Sequence, residues 1–83
     1  MKKYSITFRS ITPAQRSQRL LRSNGIETTL QRTPRWMEQR GCGYSLSLRS
    51  TDVAAAVALL KHEDVPYSKI YCEDEGVVTE MAL

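Results

Sequence analysis

Three stretches of this chain alternate apolar and polar residues with period two, and two stretches of helical character are set among them. Tyr4-Ser5-Ile6-Thr7-Phe8 is the first alternating run. Ile26, Thr28 and Leu30 alternating with Glu27, Thr29 and Gln31 form the second. Tyr44, Leu46 and Leu48 alternating with Ser45, Ser47 and Arg49 form the third. Such alternation predicts half-buried strands. Between the first two runs, Thr12-Pro13-Ala14-Gln15 reads as a helix start with Thr12 as N-cap, Pro13 at N1 and Gln15 closing a capping box. That helix runs through Leu20 and Leu21 to a stop at Asn24-Gly25. Ser50 or Thr51 caps a second helix, with Asp52 in its first turn and Val53, Ala56, Val57 and Leu60 as its apolar stripe. Val65-Pro66 ends it, and Tyr67 to Glu73 is the last strand.

The order is β-α-β-β-α-β, a two-layer ferredoxin-like α+β sandwich with an antiparallel four-stranded sheet. Tyr4, Ile6, Phe8, Ile26, Leu30, Tyr44, Leu46, Leu48, Ile70 and Cys72 share one sheet face; Ser5, Thr7, Thr29, Gln31, Ser45, Ser47 and Lys69 share the other. A sheet apolar on one side places both helices on that side. Residues 1–76 are expected to form this single domain, and the 77–83 tail has no predicted placement.

At 83 residues the chain suits one domain with a modest core. It has no apolar run near the ~20 residues of a membrane span, and Met1-Lys2-Lys3-Tyr4 is not followed by the apolar stretch of a signal peptide. Two distant cysteines do not make a disulfide framework, so a reducing, cytoplasmic setting is expected. Charge is divided unevenly: ten Lys/Arg against two Asp/Glu through Ser50, then two against seven. Such a split either steers anionic partners to one part of the molecule or simply solvates its faces.

Cys42 lies between two glycines, in Arg40-Gly41-Cys42-Gly43, at the end of an irregular loop that starts at Thr33. Flanking glycines let the backbone turn sharply and leave a thiol without side-chain cover. In the expected topology this loop shares one end of the molecule with Ser10-Ile11-Thr12 and with His62. Helix N–H groups there carry roughly half a positive charge, and Arg9, Arg35 and Arg40 add full charges. Both effects favour thiolate and lower a pKa that is about 8.5 for free cysteine. The bland alternative is a small residue whose glycines serve only the turn. Trp36 and Met37 either tuck the loop onto the core or form a hydrophobic lip over the thiol. Cys72 alternates with Ile70 and is expected in the core, as a small hydrophobe. It falls near the opposite end, about five strand residues of ~3.3 Å away. That is far beyond the roughly 7 Å limit for a disulfide.

Other chemistries find little support. One histidine and two distant cysteines give no metal-ligand spacing, and no phosphate-cradling glycine motif is present. No metal or cofactor is therefore expected. His62 reads as a surface residue complementing a helix end; with Glu63 it is conceivable as a catalytic partner, but no spacing selects it. RNA binding through an RRM-like sheet needs aromatics on the two central strands. Ser5, Thr7, Ser45 and Ser47 stand there instead, leaving Tyr67 and Tyr71 on an edge, so nucleic acid is disfavoured. Arg16, Arg19 and Arg22 make a solvated helix face or a docking surface for an acidic protein.

Phe8-Arg9-Ser10, the helix end Leu20-Leu21-Arg22-Ser23-Asn24-Gly25-Ile26, Thr33-Pro34-Arg35 and Gly41-Cys42-Gly43 together resemble the selenium/sulfur carrier-like family. These are small bacterial proteins, alone or similar to the C-terminal part of the selenium-metabolism protein YedF. The resemblance spans roughly Tyr4 to Tyr71, and its most specific element is the proline-arginine loop closed by Gly-Cys-Gly. The bulky Trp36-Met37, the charged Arg40 and the start Ile11-Thr12-Pro13 depart from the family pattern, and the Cys-Pro helix start of TusA-like carriers is absent. The resemblance implies a carrier rather than a turnover enzyme, holding a persulfide or perselenide on Cys42. Gly41, Gly43, Arg40, Arg35, Arg9, Ser10 and Thr12 support it, and the partners are sulfur or selenium donor and acceptor proteins. The rival is an adaptor or regulatory module that binds protein or RNA through the Arg-rich half. A homodimer through the Ser/Thr-rich sheet face stays open.

Overall fold

The computed structural model describes residues 2–33 and 43–81. Its elements are, in chain order, β1 (Lys2–Phe8), α1 (Ile11–Ser23), β2 (Thr29–Arg32), β3 (Tyr44–Arg49), α2 (Val53–His62), β4 (Ile70–Asp74) and β5 (Val77–Met81). The strands form one antiparallel sheet in the order β2-β3-β1-β4-β5. The expected four-stranded sheet is thus corrected to five strands. The segment after Gly76 folds back on β4, from Asp74↔Val77 to Ile70↔Met81. Glu75 and Gly76, the two loop residues, have φ of 52° and 83°. Positive φ at both positions is what a tight type I′ hairpin requires.

Ile6, Phe8, Leu46, Leu48 and Ile70 lie buried on one sheet face in a single cluster with Ala14 and Leu21 of α1 and Val53, Ala56, Val57 and Leu60 of α2. Both helices therefore pack on the apolar face, as the alternation predicts. Each large side chain buried in this way contributes about 1.5–3 kcal/mol. β3 and the α2 stripe fall on the residues expected for them.

The helix boundaries differ from the local sequence rules. α1 begins at Ile11 with Ser10 as N-cap, and no side-chain cap hydrogen bond forms. Thr12 is therefore the second helical residue, exposed to solvent, and not the cap. Pro13 stands at N3 and not N1, so it removes the N–H that a capping box would have used. α2 begins after Asp52, again without a side-chain cap bond, and not after Ser50 or Thr51.

Both helices end in the same way. Past α1, Ile26 N–H donates to Leu21 O (2.9 Å) and Gly25 N–H to Arg22 O (3.1 Å), with Gly25 at φ 77°. Past α2, Val65 N–H donates to Leu60 O (2.9 Å) and Asp64 N–H to Lys61 O (3.3 Å), with Asp64 at φ 54°. Each is a Schellman motif, whose apolar pair (Leu21 with Ile26, Leu60 with Val65) is buried. Ile26 thus closes a helix instead of opening a strand, and β2 starts three residues later than expected. α2 stops at His62, before Val65-Pro66 can act on it.

The other sheet face carries no helix, yet its centre is buried. Ser5, Thr7, Ser45 and Ser47 are each at most 7% exposed. Gln31 Nε2 donates to Ser47 Oγ (3.3 Å), whereas the buried Ser45 hydroxyl has no hydrogen-bond partner among the described residues. Among the described residues, no helix is long and apolar enough to cross a membrane.

Candidate functional site

The strand directions gather one set of chain ends. The C-terminal end of β1, the start of α1, the end of β2, the start of β3 and the end of α2 all lie at the same end of the sheet, as the pairings Phe8↔Tyr44 and Arg32↔Tyr44 require. Gly43 sits at the centre of this end. Its carbonyl accepts from Thr33 N–H (3.1 Å). A Cβ added to Gly43 would lie 2.9 Å from the Phe8 carbonyl oxygen, and its φ is 154°. Both the close approach and the backbone angle demand glycine there. Gly43 is thus wedged against the residue that precedes Arg9-Ser10.

The start of α1 next to it is electropositive by construction. Ile11 and Thr12 N–H groups have no acceptor within the helix, Ser10 gives no side-chain cap, and the first turn holds no acidic residue. Arg9 is exposed and has no ion-pair partner among the described residues. Arg32 brings a second cation to this end, its guanidinium 5.6 Å from the Tyr44 ring centroid. His62 is exposed and pairs with Glu63 at 2.9 Å.

A groove of about 440 Å³ runs beside the helix start, lined by Arg9, Ser10, Pro13, Pro66, Tyr67 and Ser68. Its second wall is held by Thr7. Thr7 N–H donates to Lys69 O (2.8 Å), and Ser68 N–H donates to Thr7 O (2.7 Å). The Thr7 hydroxyl also donates to Lys69 O (3.2 Å) and accepts from Lys69 N–H (3.0 Å). The alternation predicts Tyr67 in the last strand, as an outward aromatic. It precedes β4 and packs partly buried against the core. Pro66, which cannot donate to a ladder, was the available signal that pairing begins later.

Of the supporting residues named from the sequence, Gly43, Arg9, Ser10 and Thr12 come together at this end. Cys42, Gly41, Arg40 and Arg35 lie outside the described residues, as do Trp36 and Met37. Cys72 is a free, buried cysteine on β4, opposite Tyr4 of β1. The Tyr4 phenol is held above the ordinary tyrosine pKa, first by hydrogen bonding to the Cys72 side chain, then by desolvation and the charge of Asp74. Cys72 thus behaves as the core residue the alternation predicts.

Residues 3–72 match the family described as "Putative Se/S carrier protein-like". The chain belongs to this family. No curated protein and no solved structure matches it. The matched span takes in the loop between β2 and β3 and both sides of the electropositive end, and it stops within β4, so that β5 lies beyond it.

Proposed function

We propose that this family member carries sulfur or selenium, as a persulfide or perselenide, on Cys42. The fold is then a ferredoxin-like β-α-β-β-α-β unit to which β5 adds an edge strand. The observation that carries the reading is the seat of Gly43, one peptide unit after Cys42, against the Phe8 carbonyl beside Arg9 and Ser10. Cys42 precedes Gly43 directly in the sequence, and the start of α1 beside Gly43 offers N–H groups without acceptors in the helix. The description of the matched family supports the choice of sulfur or selenium as cargo.

In the proposed transfer, the Cys42 thiolate attacks the outer sulfur or selenium of a donor protein's persulfide or perselenide. A bond forms between Cys42 Sγ and that atom, the donor's own chalcogen bond breaks, and its electron pair leaves on the donor thiolate. An acceptor thiolate reverses the exchange and regenerates Cys42, with no net oxidation. The Ile11 and Thr12 N–H groups and the Arg9 guanidinium stabilise the anion before and after transfer; Arg35, Arg40 and the flanking Gly41 and Gly43 complete the proposed surroundings. The setting is reducing and cytoplasmic.

The test is alkylation rate against pH, together with intact mass after exposure to a small-molecule persulfide donor. The expected midpoint lies below the value of about 8.5 for free cysteine. One added chalcogen atom should appear on the wild type and vanish in Cys42→Ser, which retains only the buried Cys72. Arg9→Gln should raise the midpoint. A midpoint at the free-cysteine value with no adduct would sink the carrier reading and favour an adaptor.

A further inference from the structure

The two edges of the sheet differ. β2 ends in Arg32, which engages Tyr44, and has the polar outer sequence Thr-Leu-Gln-Arg. β5 reads Val-Val-Thr-Glu-Met, with no proline and no lysine. Its single charge, Glu80, is held by Lys69 of the same chain at 3.5 Å. Proteins blunt a free strand edge with prolines, lysines, bulges or a covering element, and β5 shows none of the first three. It also presents Val77 at 64% exposure, the one large hydrophobic so exposed among the described residues.

The backbone of β5 fixes which groups it offers. The hairpin bond joins Asp74 and Val77 across the two-residue turn. From that pair, antiparallel ladder positions alternate. Val77, Thr79 and Met81 therefore turn their N–H and C=O groups toward β4, in the register Asp74↔Val77, Cys72↔Thr79, Ile70↔Met81. Val78 and Glu80 turn theirs outward.

We infer that β5 pairs antiparallel with β5 of a second copy, about a two-fold axis through Thr79, to make a continuous ten-stranded sheet. In this register Val78 of each copy faces Glu80 of the other, and these two pairs exchange four main-chain hydrogen bonds. Thr79 meets its own symmetry mate at the close, non-hydrogen-bonded position, where threonine pairs are favourable. Val77 packs against Met81 of the other copy on the helix side, which covers the exposed valine. No like charges stand directly opposite, because Glu80 faces a valine and keeps its own Lys69. The strand is short, so the buried area falls at the low end for specific interfaces and the association is weak. The two electropositive ends point in opposite directions, and each copy keeps a complete one.

The test is the mass of the full chain in solution, by sedimentation equilibrium over micromolar to millimolar concentrations. The expected mass rises from the 9.5 kDa monomer to twice that value. Thr79→Lys, which sets two ammonium groups across the axis while leaving the β4 ladder intact, should weaken association at least ten-fold. As a control for folding, T79C in a Cys42→Ser, Cys72→Ala background, which removes the cysteine facing position 79 from β4, should give a covalent dimer on oxidation, since the paired Cβ atoms lie near disulfide range. A mass fixed at the monomer value throughout would overturn the inference. So would a wild-type dimer that Thr79→Lys leaves unchanged, or a T79C variant that stays monomeric under oxidation.

Discussion

The two faces of the sheet are buried by different physics. On the helix side, Ile6, Phe8, Leu46, Leu48 and Ile70 exclude water with hydrocarbon, packed against two apolar helix stripes. On the other side, Ser5, Thr7, Ser45 and Ser47 are just as hidden, but they are small and polar. Apolar burial stabilises in proportion to area. Polar burial contributes only when each group finds a partner, and it costs when one does not. Thr7 is fully engaged with Lys69, Ser47 is held by Gln31, and Ser45 Oγ has no partner among the described residues. One face supplies stability; the other divides into groups that position neighbours and a group that weakens the fold.

Three substitutions sharpen or break this contrast. Leu46→Ala removes a fully buried core side chain and should cost about 2–5 kcal/mol, read as a lower denaturant midpoint. A loss under 1 kcal/mol would mean that the helix layer is not the main source of stability. Thr7→Val keeps shape but strands the Lys69 N–H. It should cost about 1–3 kcal/mol and raise hydrogen exchange at Ser68 and Lys69 ahead of the rest of the sheet. Uniform exchange would show that the hydroxyl does not hold the groove wall. Ser45→Ala deletes a buried hydroxyl with no partner among the described residues and should stabilise by about 1 kcal/mol, which is roughly 4–8 °C in Tm for a domain of this size. A destabilised Ser45→Ala would reveal a partner for that hydroxyl and erase the difference between Ser45 and Thr7.

Where periodicity and burial coincide, the sequence was legible. β3 and the α2 stripe of Val53, Ala56, Val57 and Leu60 need only alternation or helical spacing, and tertiary packing agrees with both. The misreadings came where a local motif competes with the fold. Thr12-Pro13-Ala14-Gln15 has the composition of a capping box, but helical geometry already begins at Ile11 and leaves Thr12 no capping role. Ile26 continues the alternation of Leu30, yet its backbone is committed to Leu21 at the end of α1. β5 was missed because Val77 and Val78 break the two-residue period; Glu75-Gly76 between apolar runs was a usable turn signal. At the candidate site, Gly43 was legible as a glycine, but its reason was not. The Phe8 carbonyl that excludes a side chain lies 35 positions away in the chain, and no local rule reaches that far. The choice of Cys42 rests on its flanking glycines and the family pattern, and Cys42 lies outside the described residues.

The fifth strand also alters how copies of this chain can stack. With four strands in the order β2-β3-β1-β4, the two borders would run in opposite directions, and translated copies could zip into an antiparallel filament. With β5 added, both borders run the same way as β1. Head-to-tail growth must then use a parallel ladder, the less stable arrangement per residue. An odd number of strands therefore disfavours growth by simple translation and leaves two-fold pairing as the antiparallel outcome at either border.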